Sequence, residues 1–113
     1  MRSERYLSEF ELHVLLAVQA LGDDAYGGSV RREIESRCRR QVWIGPLYTT
    51  LGRLEDLELL SGTLGEPLPI RGGRSRRYYR LTAAGKRAVR HSLAMLDRMR
   101  AAAGLESSPK GVE

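Results

Sequence analysis

The chain has 113 residues, which is enough for one small domain with a single hydrophobic core. Hydrophobic residues make up 42% of the sequence and charged residues 29%, both typical of a globular protein. The formal net charge of +5 favours a polyanionic partner. The single cysteine, Cys38, excludes an intramolecular disulfide and favours a reducing compartment such as the cytoplasm.

We expect no targeting or membrane signal in this sequence. The first ten residues have no apolar run behind their charges, and no apolar stretch approaches the length of a membrane span. We therefore expect a cytoplasmic protein with no membrane partner. The spacing of cysteine and histidine matches no metal site, and no cofactor is expected. Residues 105–113 are mostly small and polar, so they are predicted to form a disordered tail.

A capping box marks the start of the first helix. The Ser8 hydroxyl and the Glu11 carboxylate can each accept a hydrogen bond from a free backbone N–H, which predicts a helix from about Glu9 to Leu21. The helix has apolar residues on two opposite sides. One stripe comprises Phe10, Val14, Ala17 and Leu21, and the second comprises Leu12, Leu15 and Leu16. The second stripe is predicted to lie in a dimer interface, and cover by the chain's own last helix is the open alternative.

A second helix follows a break at residues 22–24. It is predicted to run from about Gly27 to Arg37, and its buried stripe repeats every four residues at Val30, Ile34 and Cys38. The segment 41–44 (QVWI) then favours a short β-type run. Trp43 within that run is predicted to be a core or interface anchor.

The third predicted helix opens at Gly45-Pro46 and spans about 45–57, because proline in the first turn gives up no needed N–H. Leucines at 47, 51 and 54 form its buried stripe. Tyr48 lies on the flank, and the face that points away comprises Thr49, Gly52, Arg53 and Asp56. Such a small face suits close approach to another molecule, such as the edge of a DNA base. An ordinary amphipathic helix is the open alternative.

A hairpin with an arginine-rich tip is predicted next. Residues 59–64 and 76–81 are strand-like, and the eleven residues 71–81 contain five arginines and no acidic residue. Period-two alternation directs Tyr79 and Leu81 towards the core. The tip arginines can pair with phosphates in bidentate fashion, and they are Arg71, Arg74, Arg76 and Arg77.

The last helix is predicted to begin after Thr82 as its N-cap and to run for roughly 22 residues, about 33 Å at the usual rise. A helix of that length extends past the body of so small a domain. Its far end therefore needs another surface, most simply its own copy in a second subunit. The predicted dimer residues on this helix are Val89, Leu93, Leu96 and Met99.

The element order predicts an α+β, mainly α protein: a winged helix-turn-helix with a long C-terminal dimerisation helix. The predicted organisation is a DNA-binding domain over residues 1–81, the dimerisation helix over 82–104 and the tail over 105–113. Helix 45–57 would enter the major groove of double-stranded DNA, and the wing, residues 65–80, would contact the flanking backbone or minor groove. The predicted DNA contacts are Tyr48, Thr49, Arg53, Arg71, Arg74, Arg76 and Arg77.

Two segments, GPLYTTLGRLEDLELL and GGRSRRYYRLTAAGKR, resemble the PadR family of transcriptional regulators. Gly45, Leu47 and Tyr48 match the opening of the family's recognition helix, and Arg53, Leu54 and Glu55 match its end. The wing exit matches at Arg74, Arg77, Tyr79, Leu81, Thr82 and Gly85. This resemblance spans about residues 7–99, and the single last helix is similar to the family's short members.

The resemblance implies a nucleoid-associated homodimer, expected to be a repressor, that binds an inverted-repeat operator. Tyr48 and Thr49 are then the expected DNA contacts, and the last helix is the dimer interface. Some relatives bind aromatic or drug-like effectors between their subunits. Such a cavity could be lined here by Phe10, Trp43, Met95 and Met99, although these residues also fit an ordinary core.

The sequence departs from the family at the end of the recognition helix, where Glu58 replaces a glycine. A left-handed cap at this position would cost about 1 kcal/mol, unless the helix ends in another way. An enzyme is not expected, because His13 and His91 have no catalytic partner at an interpretable spacing. A winged-helix module that binds proteins instead of DNA is the open alternative.

Overall fold

A computed structural model describes residues 6–69, 72 and 75–105. The helices are α1 (Glu9–Leu21), α2 (Gly27–Cys38), α3 (Ile44–Asp56) and α4 (Ala83–Ala102). The strands are β1 (Leu60–Pro67) and β2 (Ser75–Leu81), and a short 3-10 turn, Gly22–Asp24, separates α1 from α2. This mainly helical arrangement with one hairpin confirms the predicted winged-helix fold.

The helix starts follow from local hydrogen bonds. The Ser8 hydroxyl accepts a bond from the Glu11 N–H at 3.1 Å, and the Glu11 carboxylate accepts one from the Ser8 N–H at 2.8 Å. This is the predicted capping box, and α1 has the predicted bounds. Thr82 caps α4 as predicted, since its hydroxyl accepts the Gly85 N–H at 2.9 Å.

The hydrophobic core lies where the first three helices meet the hairpin. Its fully buried members include leucines from α1, α3 and β1 and valines from α1, α2 and the α2–α3 loop. They are Leu15, Leu47, Leu51, Leu54, Leu60, Val14, Val18, Val30 and Val42. Tyr79 and Leu81 also face this core, which confirms the predicted alternation in β2.

The hairpin is antiparallel, with Leu60 opposite Leu81 and Gly62 opposite Tyr79. β1 continues to Pro67, past the predicted end at 64, with an irregular register between Leu64 and Pro67. The other edge of β2 meets the start of α2: the Tyr79 N–H donates to the Ala25 carbonyl at 2.9 Å. The hairpin is therefore fixed against the helix-turn-helix from one side.

Glu58 adopts the left-handed conformation, with φ of 62°. The Glu58 N–H donates to the Glu55 carbonyl and the Leu59 N–H to the Leu54 carbonyl, each at 2.9 Å. This pair of bonds is the Schellman arrangement that normally favours glycine. The chain therefore keeps the left-handed cap despite the glutamate, because the two hydrogen bonds close the last turn of α3. The strand β1 begins two residues later, at Leu60.

The prediction of a β-type run at 41–44 is wrong. Residues 41–43 are irregular, and α3 begins at Ile44, one residue before the predicted start. No strand among the described residues pairs with this segment, and the buried Val42 instead donates its N–H to the Glu35 carboxylate at 2.9 Å. Trp43, predicted as a core or interface anchor, is 63% exposed within the single chain.

Two of the predicted dimer residues are core residues of the single chain. Leu15 is fully enclosed by the core and Val89 is 8% exposed, so neither offers its side chain to a second subunit. The second apolar stripe of α1 is therefore divided, with Leu12 half-buried and Leu16 exposed. The physical reason is that α1 is central and packs against α2, α3, α4 and β2.

α4 has 20 residues, close to the predicted 22, and its second half extends past the domain body. Leu96 and Met99 there are 49% and 68% exposed. The predicted tail, 105–113, lies outside the described residues apart from Leu105. None of the described helices is both long enough and apolar enough to cross a membrane.

Candidate nucleic-acid interface

The outer face of α3 is small and exposed. Leu47, Thr50 and Leu51 point into the core, whereas Thr49 and Gly52 are open to solvent on the other side. A methyl group added at Gly52 would meet no other atom within 4 Å. This face of α3 carries only small side chains, so another molecule can come close to the helix backbone.

Tyr48 flanks this face and is 51% exposed. A Cβ on Gly27 would overlap its hydroxyl and ring, so the phenol lies directly against the first turn of α2. The two helices of the helix-turn-helix thus meet through a side chain that is half open to solvent. The structure places Tyr48 and Thr49 on one surface, as the sequence predicts.

Arg53 is also exposed on α3, but an ion pair holds it. Its Nε and Nη2 donate to Glu11 Oε2 at 3.2 and 3.1 Å. Burial raises the pKa of Glu11, but the hydrogen bonds from the Ser8 N–H and Arg53 outweigh that effect, and the pKa lies below its ordinary value. Glu11 therefore ties α3 to the start of α1, a role that the sequence prediction missed.

Arg77, predicted as a phosphate contact, forms a two-pronged ion pair with Glu55. Its Nε donates to Oε1 at 3.2 Å and its Nη2 contacts Oε2. The hydrogen bond from Arg77 lowers the pKa of Glu55 below its ordinary value. Since a carboxylate already neutralises this guanidinium, Arg77 joins the hairpin to the end of α3 and is a weaker candidate for phosphate binding.

Arg76 lies on the other face of β2, where it stacks on Tyr26 with its Cζ 4.0 Å from the ring centroid. Tyr78 packs edge-on against the same ring at 5.6 Å. The structure thus brings Arg76 beside the start of α2 and separates it from Arg77. The other predicted tip residues, Arg71 and Arg74, lie outside the described residues.

The sequence places Arg32 off the buried stripe of α2, on a solvated face with phosphate contact as the open alternative, and the structure puts it in the same cluster. Its Nη2 donates to the Tyr26 hydroxyl at 2.9 Å. Sequence spacing gives no signal for this grouping, because Tyr26 and Arg76 are fifty positions apart and are brought together by the pairing of β2 with the segment before α2. Burial raises the pKa of the neighbouring Tyr79, which is consistent with its place in the core.

Solved structures share this architecture. A PadR-like transcription factor from Bacteroides fragilis is 24% identical, with a TM-score of 0.70 over 84% of this chain and 86% of that chain. A PadR-like transcriptional regulator from Bacillus cereus is 20% identical, with a TM-score of 0.68 over 84% and 87%. RosR of H. salinarum is 27% identical, with a TM-score of 0.64 over 84% and 78%.

The comparison with curated proteins gives no match. The sequence pattern of the Transcriptional regulator PadR-like family, in contrast, matches residues 14–91, which include α2, α3, the hairpin and most of α1. That range covers well over half of the chain and contains every described residue of the surface formed by α3 and β2. The chain therefore belongs to the PadR-like family, whose members are DNA-binding transcriptional regulators with a winged-helix fold.

Proposed function

We propose that this regulator is a repressor that binds an inverted-repeat operator as a homodimer. The observation that carries the proposal is the exposed face of α3, where Thr49 and Gly52 leave the helix backbone accessible beside Tyr48. α3 would enter the major groove, where a threonine can contact a thymine methyl or donate a hydrogen bond to a base edge. The hairpin would contact the adjacent backbone or minor groove.

The ion pairs on this surface favour a preformed binding site. Glu11 holds Arg53, and Glu55 holds Arg77, so the recognition helix and the hairpin are joined to each other and to α1 before any DNA is present. A surface that is ordered in the free protein loses less conformational entropy on binding. This rigidity favours specific recognition of a short half-site by each subunit.

The dimer would form through α4 and the exposed part of α1. Gly85, Ala88 and Val89 pack one face of α4 against the domain body. Leu96 and Met99 lie on the same face, but beyond the end of the body, and they remain exposed. Apolar side chains that extend beyond the core of their own subunit are stabilised most simply by burial against a second copy of the chain. Leu12, Leu16 and Leu93 are the other proposed contacts.

An effector site is part of the proposal. A cleft of about 230 Å³ lies between α1 and α2, with an apolar lining from Leu16, Ala17, Ala20 and Ile34. Leu16 belongs to the proposed dimer surface, so a small apolar compound in this cleft would touch both subunits. Calorimetric titration of simple aromatic compounds, in the presence and absence of operator, tests this: an effector should bind and change the affinity for DNA.

Selection of bound sequences from a pool of random duplexes tests the DNA-binding proposal directly. We expect the enriched sequences to contain two inverted half-sites about one helical turn apart, since each subunit of a symmetric dimer reads one. The logarithm of the binding constant should fall with the logarithm of salt concentration at a slope steeper than about −4. Absence of any enriched motif would contradict sequence-specific binding.

Transcription from a promoter that carries the selected site tests repression. Adding the protein to purified polymerase and such a template should lower transcript yield, and a template with a scrambled site is the control. Increased yield would instead make the protein an activator. The family is one of transcriptional regulators, so either direction agrees with membership.

A further inference from the structure

Two arginines from distant parts of the chain share one tyrosine. Arg76 of β2 stacks on the ring of Tyr26 with its Cζ 4.0 Å from the centroid, and Arg32 of α2 donates from Nη2 to the Tyr26 hydroxyl at 2.9 Å. The Cζ of Arg32 lies 5.8 Å from the same centroid. Both guanidinium groups therefore lie within about 6 Å of one ring, with Arg32 exposed and Arg76 half-buried.

These two arginines contact an aromatic residue instead of a carboxylate, as Arg40 also does at the ring of Phe10. Six arginines of the described residues form ion pairs with carboxylates, and they are Arg31, Arg37, Arg53, Arg77, Arg80 and Arg100. In that part of the chain no ion pair within 4.0 Å involves Arg32 or Arg76. An aromatic ring and a hydroxyl orient a guanidinium without forming an ion pair with it, so both arginines remain available to an anion, although Asp24 also attracts Arg76 from beyond ion-pair distance.

The cluster lies beside the surface proposed to meet DNA. Tyr26 directly precedes Gly27, the residue against which the phenol of Tyr48 packs. On its other side Tyr26 pairs with Tyr78 of β2, so it sits between the recognition helix and the hairpin. A duplex that touches both α3 and the hairpin would pass next to this tyrosine.

We propose that Arg32 and Arg76, held by Tyr26, form a clamp for a phosphate of the DNA backbone at the edge of the groove that α3 enters. The inference rests on the proposed function and adds a second element, α2, to the contact with DNA. Two forked cations can bind a phosphate through several charge-assisted hydrogen bonds. Because the ring orients them in advance, the clamp loses little side-chain entropy when the phosphate arrives.

The test compares Arg32→Ala with Arg37→Ala, a matched variant on the same helix whose charge is paired with Glu33. Binding is measured by fluorescence anisotropy over a salt series. The probes are a random-sequence duplex of about 30 base pairs, long enough for two half-sites one turn apart, and the selected operator. Circular dichroism and thermal unfolding verify that each variant is folded.

We expect Arg32→Ala to weaken binding to both duplexes about tenfold and to reduce the salt slope by about 0.9 for each subunit, since a phosphate contact carries no sequence information. Arg37→Ala should behave like the unmodified protein. Tyr26→Phe keeps the ring under Arg76 but removes the hydroxyl that holds Arg32, and it should give a smaller loss of affinity in the same direction.

Equal affinity and salt slope for Arg32→Ala and the unmodified protein would overturn the clamp while leaving the proposed function intact. A loss confined to the operator duplex would also overturn it, because Arg32 would then read a base. If the unmodified protein bound neither duplex, the proposed function itself would fail, and the clamp with it. These outcomes separate the two proposals.

Discussion

The phenol of Tyr48 occupies the space that a side chain on Gly27 would need. A Cβ there would overlap the hydroxyl and the adjacent ring atoms, so the contact between α2 and α3 depends on a glycine at this position. The ring end of a half-exposed tyrosine can move, whereas the helix backbone cannot. Substitution at Gly27 should therefore change the position of Tyr48 and leave the fold in place.

Gly27→Ala is expected to weaken operator binding about tenfold, equivalent to about 1.4 kcal/mol, while the free energy of unfolding changes by less than about 1 kcal/mol. The measurements are fluorescence anisotropy and chemical denaturation. Tyr48→Ala provides the control, because Gly27→Ala should have little further effect when the phenol is already absent. Additive losses in the double variant would show that Gly27 acts by another route.

Gly52→Ala should separate stability from binding. The site is open, so the methyl group meets no other atom, and replacing a mid-helix glycine by alanine should stabilise the protein by about 1 kcal/mol. The same methyl group would crowd a duplex lying against α3 and should weaken operator binding. Thermal unfolding and anisotropy on one preparation check both effects. Increased stability with unchanged affinity would place this face of α3 away from the DNA.

Gly85→Ala should destabilise the fold, because its Cβ would overlap the backbone carbonyl of Leu59. To relieve this overlap, the backbone at the start of α4 or at the turn into β1 would have to shift. We therefore expect a loss of about 3 kcal/mol in the free energy of unfolding. Urea denaturation measures it. The nearby substitution Ala83→Gly, at an exposed site, is the control and should cost no more than about 1 kcal/mol.

Acid should weaken the tie between α1 and α3. The pKa of Glu11 lies below its ordinary value of 4.5 in the folded state, so its ionised form adds stability above about pH 4.5, and this stability is lost as the pH falls through the folded pKa. Glu11→Gln should therefore be less stable than the unmodified protein at neutral pH, and the difference should shrink below pH 4.5. Denaturation curves across this range measure the difference, and a constant offset would contradict the assignment.

Charge on the overhanging part of α4 should separate the subunits. Leu96→Glu or Met99→Glu should give a folded monomer by sedimentation, because both side chains are exposed on the proposed interface. Ala94→Glu adds the same charge on the opposite side of the helix and should leave the dimer intact. A monomeric unmodified protein at micromolar concentration would refute the proposed dimer.

The sequence by itself determined the elements whose signals are local. The Ser8–Glu11 capping box, the Thr82 cap and the alternation of Tyr79 and Leu81 each depend on residues within a few positions of one another, and all three are present in the structure. Local signals also predicted the helix order, and the motifs around α3 and β2 indicated the family. Where a backbone depends on its tertiary surroundings, as in the 41–44 run, the prediction was wrong.

Only the tertiary structure decided which arginines are neutralised. Arg76 and Arg77 are neighbours in the sequence and looked equivalent, but alternation along β2 sends one to Tyr26 and the other to Glu55. It likewise decided that Leu15 belongs to the core, since helix periodicity gives the direction of a side chain but not what covers it. The physical reason is the same in each case: charge pairing and burial depend on contacts between residues that are distant in the chain, and a single sequence does not record those contacts.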